Sequence, residues 1–298
     1  MTRQTLQIFR RFKWKDNILA YALLLPSLMF LAAFTFYPMI KVLDWSFYES
    51  VMSVKQFVGV DLYVQVFQDE VFLKVLRNNM LLAIVTVPVS VLLAIYMAIW
   101  VNDKMRGTSL IRAAFFYPTL IPMIAIANIW LFIYTPDYGL PDKFLGLIGL
   151  QGQSWLGDPR WVLISMMVML IWKEAGYFMI FYLAGLQALP KDVYEAAELD
   201  GASPFQRFRK ITFPLVMPTT LFVLVIATTN SFKLVDHLYI MTKGGPDNAS
   251  NLLLYHIYET AFSFWDMGKA SVLTVILLAI LLVISIVYYG FLDKRIHY

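Results

Sequence analysis

Between Glu195 and Pro218 the chain reads EAAELDGASPFQRFRKITFPLVMP, a charged, turn-containing stretch set in an otherwise oily sequence. Ala196 and Ala197 favour helix, and Asp200-Gly201 can end it. Ser203 followed by Pro204 offers an N-cap and a first position for a second short helix. Pro214 and Pro218 then punctuate the way into the next apolar run. The pattern is helix, turn, short helix, exposed to water and to whatever in water reads it.

The flanking sequence is of another kind. With 60% hydrophobic and 15% charged residues in 298, and a mean hydropathy of +0.66, the chain cannot give a soluble globule an ordinary surface. Charge-free runs from Asn17 to Ile40, Asn78 to Asn102, Ala113 to Pro136, Ile211 to Phe232 and Ala270 to Leu292 each exceed the ~20 residues that cross a bilayer as helix. A further span, about Trp161 to Gly185, carries Lys173-Glu174 near its middle. The reading is an all-α integral membrane protein with six transmembrane helices.

Lys and Arg set the orientation. Arg3, Arg10, Arg11, Lys13 and Lys15 precede the first span, and Lys104, Arg106 and Arg112 follow the second. Lys191, Arg207, Arg209 and Lys210 follow the fourth, and Lys294 and Arg295 the sixth. The opposite connections are poorer in these residues. Both termini and the Glu195 loop are therefore expected in the cytoplasm, with residues 1–16 as a basic N-terminal segment and 17–298 as the membrane domain. Phe9, Phe12 and Trp14 among the basic residues read either as an interfacial helix or as a disordered leader. The first span is too long for a signal-peptide core, and no small-x-small cleavage site follows it. The net charge of +4 is accounted for by this bias and a lipid surface, and argues little for nucleic acid.

Several chemistries find no support. The absence of cysteine removes disulfides, thiolate nucleophiles and Cys-bound metal. His237, His256 and His297 are scattered and read as polar loop or interface residues. No catalytic motif stands out, and no phosphate-binding loop: Gly268-Lys269 lacks both the earlier glycine and the following hydroxyl residue. Active transport by this chain would need its ATPase on another polypeptide.

The segment resembles the EAA loop of permease subunits of binding-protein-dependent ATP-binding-cassette importers. Glu195, Ala196, Ala197, Asp200, Gly201, Ala202, Phe208, Ile211, Pro214 and Pro218 match that motif, with Phe213 in place of the usual Leu. The resemblance implies a bacterial inner-membrane protein whose cytoplasmic loop, about residues 187–218 between the fourth and fifth helices, forms coupling helices docking on two ATPase subunits. ATP and Mg would be bound there, and no cofactor in this chain. Arg207, Arg209 and Lys210 read as inner-interface anchors or as part of the docking surface. It further implies a second, non-identical homologous permease and a periplasmic binding protein that captures substrate.

Thr242-Lys243-Gly244-Gly245-Pro246, followed by LLLYHIYETAF from Leu252 to Phe262, is similar to the segment after the fifth helix in the sugar-transporting branch. This points to carbohydrates, polyols or glycerol phosphates. Charge inside a span costs at least ~2.5 kcal/mol on insertion scales and usually marks function. Resemblance to maltose-type permeases implies that Lys173, Glu174, Tyr177, Asn230 and Ser231 line a sugar pocket, with Lys233 beside them. Lys173 with Glu174, and Lys233 with Asp236 at i,i+3, read equally as structural pairs. An anionic polyol phosphate or sulfo-sugar held by Lys173 and Lys233 is the alternative substrate. An ion-coupled secondary transporter with Lys173-Glu174 as proton relay, and a membrane enzyme, are competing classes.

Overall fold

The computed structural model describes residues 14–51, 54–102 and 107–292. The basic leader, most of the second connection's charges, and the tail with Lys294, Arg295 and His297 lie outside the described residues. In chain order the elements are α1 (Trp14–Leu31) and α2 (Tyr37–Trp45), joined by a π-helical turn, then β1 (Tyr48–Val51) and β2 (Val54–Phe57). They continue with α3 (Asp61–Gln68), α4 (Glu70–Asn102), α5 (Thr108–Leu120), α6 (Met123–Ile133), α7 (Leu140–Leu147) and α8 (Val162–Gln187). The remainder is α9 (Lys191–Leu199), α10 (Pro204–Arg207), α11 (Phe213–Leu215), α12 (Met217–Ser231), α13 (Asp236–Met241), α14 (Leu253–Phe262) and α15 (Met267–Leu292).

Among the described residues five helical stretches are long and apolar enough to cross a membrane: Ala20–Trp45, Glu70–Asn102, Val162–Gln187, Met217–Met241 and Met267–Gly290. The pair α5 and α6 makes a sixth if counted as one span, although it bends by 102°. That bend departs from the uninterrupted run expected over Ala113 to Pro136. Pro122 has no N–H to donate and disfavours helix in the residue before it, so Ile121 is extended (φ −82°, ψ 130°) and the helix turns there. The fifth span is also broken, since α12 stops at Ser231 and helix resumes at Asp236. Lys233 and Asp236 therefore share no helix face, and no ion pair joins them among the described residues. A two-stranded antiparallel hairpin, Tyr48↔Phe57 to Val51↔Val54, is the sole sheet among the described residues and a small departure from an all-helical chain.

The 33-residue α4 organises the packing. At 1.5 Å per residue it is about 50 Å long, well beyond a ~30 Å hydrocarbon core, and its charged Glu70, Lys74 and Arg77 fall in the first two turns. It runs along α8 and contributes to three apolar clusters: Leu82 with Met166 and Met169, Ala94 with Phe178 and Tyr182, and Phe72 with Val272 and Leu273. Helix α8 in turn touches α5 closely at Gly176, where a Cβ would stand 2.0 Å from the Phe115 carbonyl oxygen. By contrast Ala20–Trp45 leaves its apolar side chains exposed in the single chain, Phe34 at 73% and Leu23 at 72%. Such a surface suits lipid or another membrane subunit.

Candidate functional site

Lys173 and Glu174 are neighbours on α8, and a helix turns ~100° per residue, so they face different partners. Lys173 extends toward the break between α5 and α6 and donates from Nζ to the Ile121 carbonyl oxygen at 2.9 Å. That carbonyl belongs to the end of α5 and lacks a helical donor, so the ammonium supplies one. Glu174 points to α12, within hydrogen-bonding reach of the Asn230 side chain, and its Oε2 is buried without a partner among the described residues.

Glu174, Asn230 and Ser231 line one cavity, together with Thr86 and Ser90 of α4 and with Leu170, Phe178 and Ala227. Its volume is about 20 Å³, room for little more than a water molecule. Of the six residues expected in a substrate pocket, the structure brings these three together. Lys173 is engaged at the α5 break. Tyr177 packs edge-on against Phe181, at 5.2 Å between centroids. Lys233 lies exposed past the end of α12. Lys173 and Tyr177, at i,i+4, lie on one side of α8.

Sequence reasoning passed over the residues of α4 that hold this arrangement. Asn79 is fully buried; its Nδ2 donates to the Ser231 carbonyl oxygen at 3.1 Å and its Oδ1 accepts from the Leu253 N–H at 3.0 Å. One amide thus satisfies the last carbonyl of α12 and the first N–H of α14. Asn78 donates to the carbonyls of Asn248 and Asn251, at 2.8 and 3.1 Å, tying down the loop that follows α13. The available signal was two adjacent amides inside the apolar run, which served merely to mark its start. His237 and His256 also differ from expectation: both are buried on helices, α13 and α14, with neither ring nitrogen partnered among the described residues.

At the far end of α4 the 195–218 stretch forms a compact knob. Helix α9 ends at Leu199 with Asp200 as its C-cap, and Gly201 takes φ +73°. The Gly201 N–H donates to the Glu198 carbonyl at 3.0 Å and the Ala202 N–H to the Ala197 carbonyl at 2.9 Å, the paired bonds of a Schellman turn. Ser203 then caps α10: its Oγ accepts from the Gln206 N–H and the Gln206 side chain accepts from the Ser203 N–H, closing a capping box with Pro204 at the first position. The Tyr194 hydroxyl meets the Thr212 hydroxyl at 2.9 Å, and Arg207 reaches Glu198 at 3.5 Å, so the two helices are cross-linked. Glu195, Ala196, Asp200 and Gly201 are exposed, and Ala197 and Ala202 half-buried. Leu199, at 90% exposure, and Phe205, at 69%, give the knob an apolar tip without cover in the single chain.

A small cavity among α4, α8 and α12 that holds a buried carboxylate, and a compact knob inserted in the chain between α8 and α12, fit a multi-pass membrane transport component. Residues 90–298 match the family described as "Binding-protein-dependent transport system inner membrane component", and the chain belongs to that family. It is a permease subunit of an ABC transporter and a multi-pass protein of the inner membrane. Among its relatives, the probable ABC transporter permease protein YurN of Bacillus subtilis (strain 168) is 34% identical over 93% of this chain and 97% of its own length. The trehalose/maltose transport system permease protein MalF of Thermococcus litoralis is 30% identical over 93% of this chain and 95% of its own length. In fold, the chain resembles the crystal structure of a bacterial alginate ABC transporter in complex with alginate pentasaccharide-bound periplasmic protein. The TM-score is 0.83, with 24% identity over 94% of this chain and 96% of that one.

Proposed function

We propose that this chain is the membrane-spanning subunit of an ATP-driven importer for a sugar or related polyol, received from a periplasmic binding protein. The observation that carries the reading is the convergence of Glu174, Asn230 and Ser231 on one cavity, at positions joined through the knob by α8 and α12. A carboxylate oxygen without a partner, Oε2 of Glu174, beside an amide and a hydroxyl in a low-dielectric setting suits the hydroxyls of a carbohydrate. The trehalose/maltose relative supports the same class.

In this reading Glu195, Ala196, Ala197, Asp200, Gly201 and Ala202 form the coupling surface, and one of two ATP-binding-cassette subunits seats on the exposed tip at Leu199 and Phe205. Closure of the ATPase pair moves the knob as a unit, because its turn and cap are internally bonded, and the motion passes to α8 and α12. The cavity of about 20 Å³ is then a closed stage of the cycle, opened to sugar size by separation of those helices and completed by a second, homologous permease. Residues 1–16 form a cytoplasmic basic segment, 17–298 the membrane domain, and both termini lie in the cytoplasm. Lys173 is committed to the Ile121 carbonyl, which favours an uncharged substrate over a phosphorylated or sulfonated one.

The test is reconstitution of the full importer in proteoliposomes, with sugars, polyols and glycerophosphates supplied on their binding protein. At least one uncharged carbohydrate should stimulate ATP hydrolysis and accumulate against its gradient. Failure of every compound, with ATPase assembled, sinks the carbohydrate reading. Uptake driven by an ion gradient without ATPase subunits sinks the coupled importer.

A further inference from the structure

A second polar space lies away from the cavity just described. At the N-terminal end of α4 a crevice of about 470 Å³ opens between the start of that helix, the loop after α13, helix α14 and the first turn of α15. Its size falls within the ~300–1,000 Å³ typical of small-molecule sites. The Glu174 cavity, about 20 Å³, cannot hold a sugar ring in the same conformation.

His256 forms part of the crevice wall, is 5% exposed, and has neither ring nitrogen partnered among the described residues. Burial holds the ring's pKa below the usual histidine value, with the Lys269 ammonium acting in the same direction against a smaller opposing pull from Asp69. The ring is therefore neutral at pH 7, with one N–H donor and one bare nitrogen acceptor, both buried behind the crevice wall. Leaving both unmatched costs free energy that a ligand with hydroxyl groups would recover. Phe264, at 66% exposure, supplies an aromatic face at the rim. Asn248 adds an amide.

Charge narrows the ligand. The Lys269 ammonium donates to Asp69 at 2.6 Å and is thereby neutralised. Glu259 and Asp266 remain on the same walls with no ion pair among the described residues, so the crevice is acidic and repels phosphate or sulfonate. No group of three acidic or histidine side chains among the described residues is arranged to hold a metal ion.

We propose that this crevice is a second substrate subsite, binding an uncharged sugar or polyol at the mouth of the permease before it reaches the Glu174 cavity. The ligand's identity rests on the carbohydrate reading above. The loop over the crevice is joined to the inner cavity, since Asn78 holds Asn248 while the adjacent Asn79 holds Ser231. Occupation of the outer subsite thus abuts the element that ends α12.

The assembled importer in lipid nanodiscs, without binding protein, is titrated with maltose, trehalose and sn-glycerol 3-phosphate by saturation-transfer NMR. At least one of the two sugars should bind and the phosphate should not. His256→Phe should raise that sugar's Kd by about 10-fold, the equivalent of one buried hydrogen bond. His256→Gln, which keeps a donor and an acceptor, should restore it to within about 3-fold, less than a full hydrogen bond. Phe264→Ala, at an exposed position, serves should the histidine variants fail to assemble, and should also weaken binding. The inference is overturned if neither sugar binds, if sn-glycerol 3-phosphate binds as tightly, or if binding follows Glu174→Ala and ignores His256→Phe and Phe264→Ala. Uptake of a sugar that continues with no such binding defeats the subsite alone, whereas absence of uptake for every compound defeats the carbohydrate reading.

Discussion

Replacing Gly201 tests whether the knob works through its backbone turn. The residue sits at φ +73°, and a Cβ added there meets nothing within 4 Å, so a substitution costs backbone strain and no clash. The left-handed region costs an L-residue about 1–2 kcal/mol, with β-branched residues at or above the upper figure. Asn, whose side chain tolerates that region, should lose least. Valine also tends to pull φ negative, which breaks the Gly201-to-Glu198 and Ala202-to-Ala197 bonds of the turn. Gly201→Val should therefore penalise the docking-competent loop by about 2 kcal/mol, an approximately 30-fold loss of ATPase affinity. Gly201→Ala should fall in between and Gly201→Asn stay within about 3-fold of wild type, for a cost of a few tenths. The assay is co-purification of the ATPase with membrane-inserted permease, together with sugar-stimulated ATP hydrolysis. Because the site is exposed, insertion and thermal melting should hardly change. Wild-type ATPase retention by Gly201→Val would refute the reasoning, as would equal damage from Asn and Val, since side-chain volume and not φ would then be at issue.

Lys173→Met keeps the chain length but leaves the Ile121 carbonyl at the α5 break without its donor, and should cost about 1–3 kcal/mol in a denaturation assay of the purified complex. Glu174→Gln should instead shift the apparent sugar affinity of transport; the opposite assignment of effects would show that Lys173 faces substrate. Asn79→Ala strands both the Ser231 carbonyl and the Leu253 N–H, so the same assay should register a loss of about 3 kcal/mol, and a loss under 0.5 kcal/mol would exclude the double cap. Buried Asp142, on α7 outside the spans, would have its pKa raised by burial. The Trp155 indole N–H at 2.6 Å and the Asp137 and Gln153 amides outweigh this and hold it below the usual carboxylate value. Its folded pKa being depressed, its contribution is complete above the unfolded value near pH 4 and fades as pH falls through the folded one. Asp142→Asn should flatten the acid side of the stability curve below about pH 4, and an unchanged acid slope would refute the assignment.

The knob was legible because its determinants are neighbours in sequence. Ala196 and Ala197 before Asp200-Gly201, then Ser203-Pro204 with Gln206 three residues past the cap, specify helix, left-handed turn and capped helix whatever packs around them. The spans were legible for a related reason: transfer of a run of side chains into hydrocarbon is a sum over residues, and composition supplies the terms. Where hydropathy alone was read, as across Pro122, the sum hid a bend of 102° that the proline rule would have exposed. The break after Ser231 escaped for the same reason, and with it the supposed helical pairing of Lys233 and Asp236.

The cavity required the assembled fold. Lys173 and Glu174 are equally charged and adjacent, yet one satisfies a carbonyl 52 residues earlier and the other faces Asn230. Asn79 looked like the edge of a span until α12 and α14 met it from 152 and 174 residues away. A membrane-embedded helical chain, and the helix-turn-helix loop within it, follow from local propensity and additive solvation. The fate of each buried polar group does not, because a hydrogen bond is short and directional, and its partner is chosen by which helix end the packing brings within about 3 Å.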